Sequence, residues 1–567
     1  MKIYIAQQNY HIGNFRENTR KMIEAIDAAK RQKADLVVFS ELSVCGYPPR
    51  DFMEFQDFID QCYAVVDEIR QHADSIGVIV GAPHRNPREE GKDLFNAAWF
   101  LYENEVKAIV HKTLLPTYDV FDEYRYFEPA FEWNVIPFRG ERLALTICED
   151  IWNLGDNPLY RICPMDQLMP QQPTLMINVS ASPFDYDHDE DRKEVIRQNV
   201  RKYQLPMIYC NAVGSQTEIV FDGGSMVCDA SGQLVKELRY FEEDYWLADT
   251  EQLRADAAVA APVSAHLDKD MRVSKVSDPS AILPYLTKTD NIAQIHQALL
   301  LGIRDYFSKM GFTEAILGSS GGIDSAVTLA LACEALGPKH VLAVGMPSMY
   351  SSAHSVSDAE LLSRNLGNRF ELIPIKGVYD AFLEALKPQF GDLPFGLAEE
   401  NIQSRSRGNL LMSLANKFGY ILLNTSNKSE LATGYGTLYG DMAGGLSVLG
   451  DVYKTQVFAL ARYINRFGEV IPENIITKPP SAELRPGQKD SDSLPEYEVL
   501  DPVLYQYIER RKGVKELVAL GLDEALVSRI LKMVNRNEYK RNQFCPIIRV
   551  SAKAFGVGRR LPIVANY

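Results

Sequence analysis

The sequence predicts an α/β protein of two units in series: an N-terminal domain of two sheets layered between helices, then a C-terminal domain with a doubly wound parallel sheet. Three observations predict it. Short apolar runs that read as strands recur through the first half, and a strand–loop–helix–strand unit opens the second. Between them the pattern dissolves into Ala, Pro and Ser. At 567 residues the chain also exceeds what one hydrophobic core fills.

In the first half, the runs 34–40, 77–81, 143–148, 174–179 and 207–211 read as strands, each ending in polar residues. Residues 18–30 and 191–203 repeat apolar side chains every three to four positions, a helical period. Asp222-Gly223-Gly224 and Asp229-Ala230-Ser231-Gly232 read as hairpin turns. The first domain is predicted over 1–250, the linker over 251–288 and the second domain over 289–567. In the latter, helix 291–310 leads into strand 314–318, a loop, helix 325–336 and strand 341–345.

A net charge of −15 with no long basic run argues against general nucleic-acid binding. Eight cysteines without a C-x-x-C pair suggest neither a disulfide scaffold nor a zinc site. No apolar run approaches a membrane span, and the first residues break too early for a signal peptide. A soluble cytoplasmic protein is expected.

Gly318, Ser319, Ser320, Gly321, Gly322, Ile323, Asp324 and Ser325 fall where a strand ends and a helix begins. Consecutive glycines let backbone N–H groups converge, and the helix N-terminus adds partial positive charge. Asp324 is placed to hold Mg²⁺. With no Gly-Lys-Ser/Thr, the loop is not that of NTPases that cleave the γ-phosphate. It resembles the Ser-Gly-Gly-x-Asp-Ser loop of ATP-pyrophosphatase enzymes, which bind the leaving pyrophosphate while AMP joins a substrate. Further on, Asn424-Thr425-Ser426-Asn427-Lys428-Ser429-Glu430 closes strand 420–423, a position where nucleotides bind. The glycine-rich stretch 433–445 and Val452-Tyr453-Lys454-Thr455 follow. Lys428, Glu430 and Asp441 bring charge of both signs to these strand ends.

Together these segments resemble the ammonia-ligase domain of NAD synthetases, whose members amidate deamido-NAD. The resemblance implies a Rossmann-like ATP-pyrophosphatase fold. It implies that Thr425 and Lys454 contact ATP and that Asp324 and Glu430 bind Mg²⁺, with no tightly bound organic cofactor. It also implies that Asn401, Glu430, Asp441 and Lys540 line the deamido-NAD site. Arg405, Arg407, Lys540 and Arg541 would supply local cations for two polyphosphates.

In the first half, Glu41 and Cys148 each end a strand-like run and Lys112 follows one. A thiol nucleophile, a carboxylate that takes and returns its proton, and an ammonium that steadies an oxyanion are what amide hydrolysis requires. A neighbouring Lys112 would also favour the thiolate. Glu41 to Asp51, Lys112-Thr113-Leu114-Leu115-Pro116 and Thr146-Ile147-Cys148-Glu149-Asp150 resemble, in the same chain order, the three conserved segments of the nitrilase (carbon–nitrogen hydrolase) superfamily. That resemblance implies a nitrilase-like αββα sandwich acting as a glutaminase. In it Tyr118 and Ser182 contact glutamine and Glu123 is a supporting carboxylate at that site. His188 stands where the family often has a Lys, which leaves open what holds the substrate carboxylate.

Both halves together imply an amide ligase using ATP, deamido-NAD and L-glutamine, assembling as a homo-oligomer, with no nucleic acid or membrane as partner. The alternatives are an amidotransferase acting on another adenylylated substrate, and a catalytically silent nucleotide-binding protein.

Overall fold

A computed structural model describes residues 1–154, 159–186, 188–254 and 278–565. The chain divides into two compact units, Met1–Val273 and Ser274–Tyr567.

The first unit is two six-stranded sheets back to back. One joins β1 (Lys2–Gln7), β2 (Leu36–Val38), β3 (Gly77–Arg85), β4 (Leu94–Tyr102) and β5 (Glu105–His111). The other has β6 (Ile136–Phe138), β7 (Glu141–Ile147), β8 (Leu175–Ser180) and β9 (Met207–Asn211). A hairpin of β10 (Val213–Gln216) and β11 (Ile219–Asp222) stands apart. Strands β12 (Met226–Cys228) and β13 (Leu234–Glu237) extend the second sheet, and β14 (Asp244–Asp249) returns to the first. The orders are β14-β1-β2-β3-β4-β5 and β13-β12-β9-β8-β7-β6. In each, a parallel centre (β1-β2-β3; β7-β8-β9) carries antiparallel flanks.

The period-two pattern decides which residues face which layer. Ile3, Ile5, Leu36 and Val38 meet Leu143, Leu145, Ile147, Leu175, Ile177 and Val179 between the sheets. The alternate residues Tyr4, Ala6 and Val37 pack outward under helices Phe15–Arg31 and Gln56–Gln71. Ala144 and Met176 face outward on the other side, beneath helices Pro164–Leu168 and His188–Tyr203. This is an αββα sandwich.

The second unit holds one parallel five-stranded sheet: β15 (Ala315–Gly318), β16 (Val341–Gly345), β17 (Arg369–Leu372), β18 (Ile421–Asn424) and β19 (Leu446–Ser447). Its order is β17-β16-β15-β18-β19. Ile316, Leu342, Val344 and Leu422 pack against Leu411 and Ala415 of helix Leu397–Phe418. Helices Thr289–Met310, Ile323–Leu336 and Lys454–Ile464 pack together as a second helical layer. The strand order reverses beside β15, so the ends of β15 and β18 open into one crevice.

The linker expected over 251–288 contains regular structure near its C-terminal end. Pro279–Leu286 is a helix whose N-cap Asp278 accepts from Ser280 N–H and whose first residue is proline. Residues 255–277 lie outside the described residues.

Candidate functional site

The first unit gathers Glu41, Lys112 and Cys148 at strand ends. Glu41 sits in a turn after β2 that lies against β3. A Cβ on Gly81 would come within 2.3 Å of Leu42 N, so only glycine permits this approach. Lys112 is fully buried, its Nζ 2.7 Å from Glu41 Oε1 and 2.7 Å from Glu123 Oε1. Asn96 Nδ2 donates to Glu41 Oε1 at 2.7 Å, and Ala181 N–H donates to Glu41 Oε2 at 3.0 Å. Cys148 follows β7 with φ 44°, a conformation that costs a non-glycine residue about 1–3 kcal/mol. This strand-to-turn corner places Cys148 just past the end of β7.

Burial opposes charge on Lys112, but Glu123 and Glu41 outweigh it and hold its pKa well above the ordinary range. Burial pushes the Cys148 thiol well up, Glu41 adds to that, and Lys112 only partly offsets them. Lys112 thus acts in the expected direction, toward the thiolate, while desolvation and the carboxylates of Glu41, Glu123 and Glu149 act against it. Burial also raises Glu123, against the pull of Lys112. Its Oε1 also accepts from Tyr47 OH at 2.7 Å, and its Oε2 accepts from Asn96 Nδ2 at 3.3 Å. With its oxygens bonded to protein donors, Glu123 supports Lys112.

Tyr118 OH donates to Glu149 Oε2 at 2.7 Å, and Tyr160 OH to Glu149 Oε1 at 3.1 Å. Ser182 is buried, its N–H on Asn211 Oδ1 at 2.9 Å. The side chain of His188 lies outside the described residues. Sequence reasoning missed Asn96, Glu149 and Asp150. The two acids adjoin Cys148, which was a usable signal, whereas Asn96 sits within a strand that says nothing of its side chain.

In the second unit, Gly318 to Ser325 line one end of a cavity of about 560 Å³ with Thr425, Glu430, Asp441 and Lys454; Gly321 supports the turn from behind. Gly321 has φ +76°, and a Cβ there would lie 2.2 Å from Ser355 O. Ser320 Oγ accepts from Gly322 N–H at 3.1 Å and lies 3.1 Å from Ser325 Oγ. Ser319 Oγ is buried without a protein partner. Ile323 begins the helix that follows.

Lys454 Nζ lies 2.5 Å from Asp324 Oδ2 and 3.4 Å from Glu430 Oε1. Burial and the nearby Asp324 raise Glu430, with Lys454 opposing. Asp441 lines the cavity, whereas Asn401 and Lys540 are not among its lining residues; Thr437 Oγ1 donates to Asn401 Oδ1 at 2.7 Å and Thr437 N–H to Asp441 Oδ1 at 2.6 Å. Lys540 Nζ donates to Gly434 O and Gly436 O, both at 2.8 Å, and burial lowers its pKa against the pull of Asp441. Asn401, Asp441 and Lys540 thus converge on the loop 434–441.

Arg541, expected as a local cation, and Lys428, read as charge at the strand ends, both face elsewhere. Arg541 bonds Leu431 O and Ala432 O at 2.9 Å and Glu538, serving as a C-terminal partner for helix Lys428–Thr433. Lys428 is fully buried on Asp451 (2.9 Å), Glu509 (2.8 Å) and Ser551 Oγ (2.7 Å). Being two positions from Glu430 on one helix turn, it points to the core when Glu430 faces the cavity. Replacing Lys428 with methionine leaves two buried carboxylates without their cation. Denaturant unfolding should show a loss of about 3–5 kcal/mol, and a change below about 1 kcal/mol would contradict a core role. Arg407 Nε donates to Met346 O at 3.0 Å and lines the cavity, while Arg405 Nε donates to Leu438 O at 3.2 Å.

The segment from Lys478 to Asp490, unread in the sequence, also lines the cavity. Glu483 Oε1 accepts from Ser352 Oγ and Ser355 Oγ at 2.8 Å, fastening this segment to the start of helix Ala353–Leu366. Asp490 Oδ2 accepts from Tyr497 OH at 2.9 Å, and burial raises its pKa against Lys454. No periodicity marks this segment, so only its Lys, Glu and Asp between prolines could have drawn notice.

The two units define a carbon–nitrogen hydrolase joined to a NAD synthase: residues 2–162 match the carbon–nitrogen hydrolase family model and residues 295–544 the NAD synthase model. The chain is 42% identical to the glutamine-dependent NAD(+) synthetase of Synechocystis sp., covering 100% of this chain and 99% of that one. It is 40% identical to that of Thermotoga maritima, with the same coverage. A solved glutamine-dependent NAD+ synthetase from Acinetobacter baumannii, in complex with ADP, is 37% identical over 99% of this chain and 98% of that one, with a TM-score of 0.74. The chain belongs to the glutamine-dependent NAD(+) synthetase family, ATP-using ligases with glutamine as the nitrogen donor. Among the described residues, no helix is long and apolar enough to cross a membrane.

Proposed function

We propose that the chain converts ATP, deamido-NAD, L-glutamine and water to AMP, diphosphate, NAD and L-glutamate at two centres. The observation that carries this reading is the buried ammonium of Lys112 between Glu41 and Glu123, at the strand ends that also present Cys148. In glutamine hydrolysis, Cys148 Sγ attacks the amide carbon while Glu41 takes the thiol proton. Lys112 and a backbone N–H steady the oxyanion, each good donor contributing about 3–4 kcal/mol. Glu41 returns the proton to departing ammonia, then draws one from the water that cleaves the thioester. Tyr118, Ser182 and His188 are the glutamine contacts in this reading, with Glu123 behind Lys112.

In the second unit the deamido-NAD carboxylate attacks the α-phosphorus of ATP, and the leaving diphosphate stays in the 318–325 loop. Ammonia then displaces AMP. Thr425 and Lys454 hold ATP, and Asn401, Glu430, Asp441 and Lys540 hold deamido-NAD. The donor set fits Mg²⁺: Asp324 and Glu430 already flank one cation, the Lys454 ammonium, and Mg²⁺ characteristically takes one or two carboxylates with phosphate and water oxygens. When bound, Mg²⁺ neutralises phosphate charge.

Because burial and Asp324 raise Glu430, its proton must leave for the metal to bind. Mg²⁺ affinity should therefore rise with pH through the neutral range, by up to about tenfold per unit for one displaced proton. Titration calorimetry with ATP-loaded enzyme checks this, and a pH-independent affinity would contradict it. The acceptor is tested by following AMP release with a panel of carboxylates. Deamido-NAD should be preferred, and faster release with another acid would favour the alternative amidotransferase.

A further inference from the structure

Asp150 takes no part in the steps above, yet it is 2% exposed and accepts three backbone N–H bonds from two chain segments. Its Oδ1 accepts from Thr113 N–H at 3.0 Å and Leu114 N–H at 2.9 Å, the residues directly after Lys112. Its Oδ2 accepts from Ile147 N–H at 3.0 Å, directly before Cys148. We propose that Asp150 is a positioning residue for glutamine hydrolysis, the clasp that sets the Cys148 thiol against the Lys112 ammonium.

The topology is what demands a clasp. Lys112 follows β5, an edge strand of the first sheet, and Cys148 follows β7 in the second. Each ladder fixes register only within its own sheet, so no ladder sets the nucleophile against the lysine. Apolar packing between the sheets resists separation but is non-directional along the strands. Ala181 N–H on Glu41 ties the sheets at one point, and the Asp150 carboxylate adds the direct tie between the Lys112 and Cys148 segments, through charge-assisted bonds stronger than neutral ones. It also holds the strand side of the left-handed Cys148 corner, while Asn178 Nδ2 donates to Cys148 O at 3.4 Å on the other. Burial pushes the Asp150 carboxyl up to about 7, opposed by the N–H bonds of Ile147 and Leu114. The ionised form is the one whose two oxygens accept all three bonds. An asparagine offers one acceptor oxygen and must turn its NH₂ toward one set of donors.

The inference rests on the reading of Cys148 and Lys112 given above. Its test is steady-state kinetics of full-length Asp150→Asn and Asp150→Glu, with Cys148→Ala in the same assay. Asp150→Asn should lower kcat for glutamine hydrolysis about 100-fold, the scale of a misplacement near 1 Å. KM for glutamine and ammonium-supported NAD formation should stay as in the unaltered chain. Asp150→Glu, which keeps both acceptor oxygens, should recover part of kcat. An unchanged kcat in Asp150→Asn overturns the proposal, as does a raised KM at constant kcat, which would make Asp150 a substrate-binding group. Should Asp150→Asn also lose ammonium-supported formation, Asp150→Glu decides: a reduced kcat with formation intact supports the clasp, and an unchanged kcat overturns it. Glutamine hydrolysis surviving in Cys148→Ala would instead sink the underlying reading of the nucleophile.

Discussion

Replacing Cys148 with alanine is expected to abolish glutamine-supported NAD formation while ammonium-supported formation continues. In the proposed mechanism the thiol is the nucleophile, and Glu41 and Lys112 are held by one another, Asn96, Ala181 and Glu123. Removing the nucleophile from such a set costs on the order of 10⁴–10⁶ in kcat. The substitution removes one buried sulfur and leaves the Lys112 ion pairs in place, so the fold should persist. Ammonium must be supplied at alkaline pH, where more of it is free ammonia. Loss of both activities in a folded variant would contradict two separate centres.

Asp324→Ala should have the reverse effect. NAD formation should fall by about 10³-fold with either nitrogen donor, because in the proposed site Asp324 would hold Mg²⁺ and its loss would remove several kcal/mol of charge stabilisation. Lys454 would keep only the more distant Glu430, and Asn427 Nδ2 would lose its 2.8 Å acceptor. Glutamine hydrolysis in the first unit should remain measurable. Diphosphate release and glutamate release, assayed in parallel, separate the two effects. Unimpaired NAD formation would remove Asp324 from the ATP site.

Much of this was legible in the sequence, for a physical reason. The strand ends proposed to carry chemistry are short apolar runs closed by a polar residue, and that signature marked Lys112, Cys148 and the loop from Gly318 to Ser325. The period-two alternation around Ile3, Leu36 and Leu143 likewise carried the two-sheet packing. What escaped depends on contacts between residues remote in sequence. The Asp150 bonds to Thr113 and Leu114 span more than thirty positions, and Asn96 reaches Glu41 across two strands. Lys428 was read as charge at the strand ends beside Glu430, whereas helical geometry sends it into the core. The helix Pro279–Leu286 was lost inside a stretch read as linker, although Asp278-Pro279 is a start signal; Pro284 within it obscured the pattern.

The account's central claim is that nitrogen passes from glutamine to deamido-NAD at the expense of ATP. Incubating the protein with ATP, Mg²⁺, deamido-NAD and glutamine labelled with ¹⁵N at the amide, then weighing the product, tests it directly. The account predicts NAD one mass unit heavier, with one AMP and one glutamate formed alongside. Unlabelled NAD, or glutamate released with no NAD formed, would contradict it.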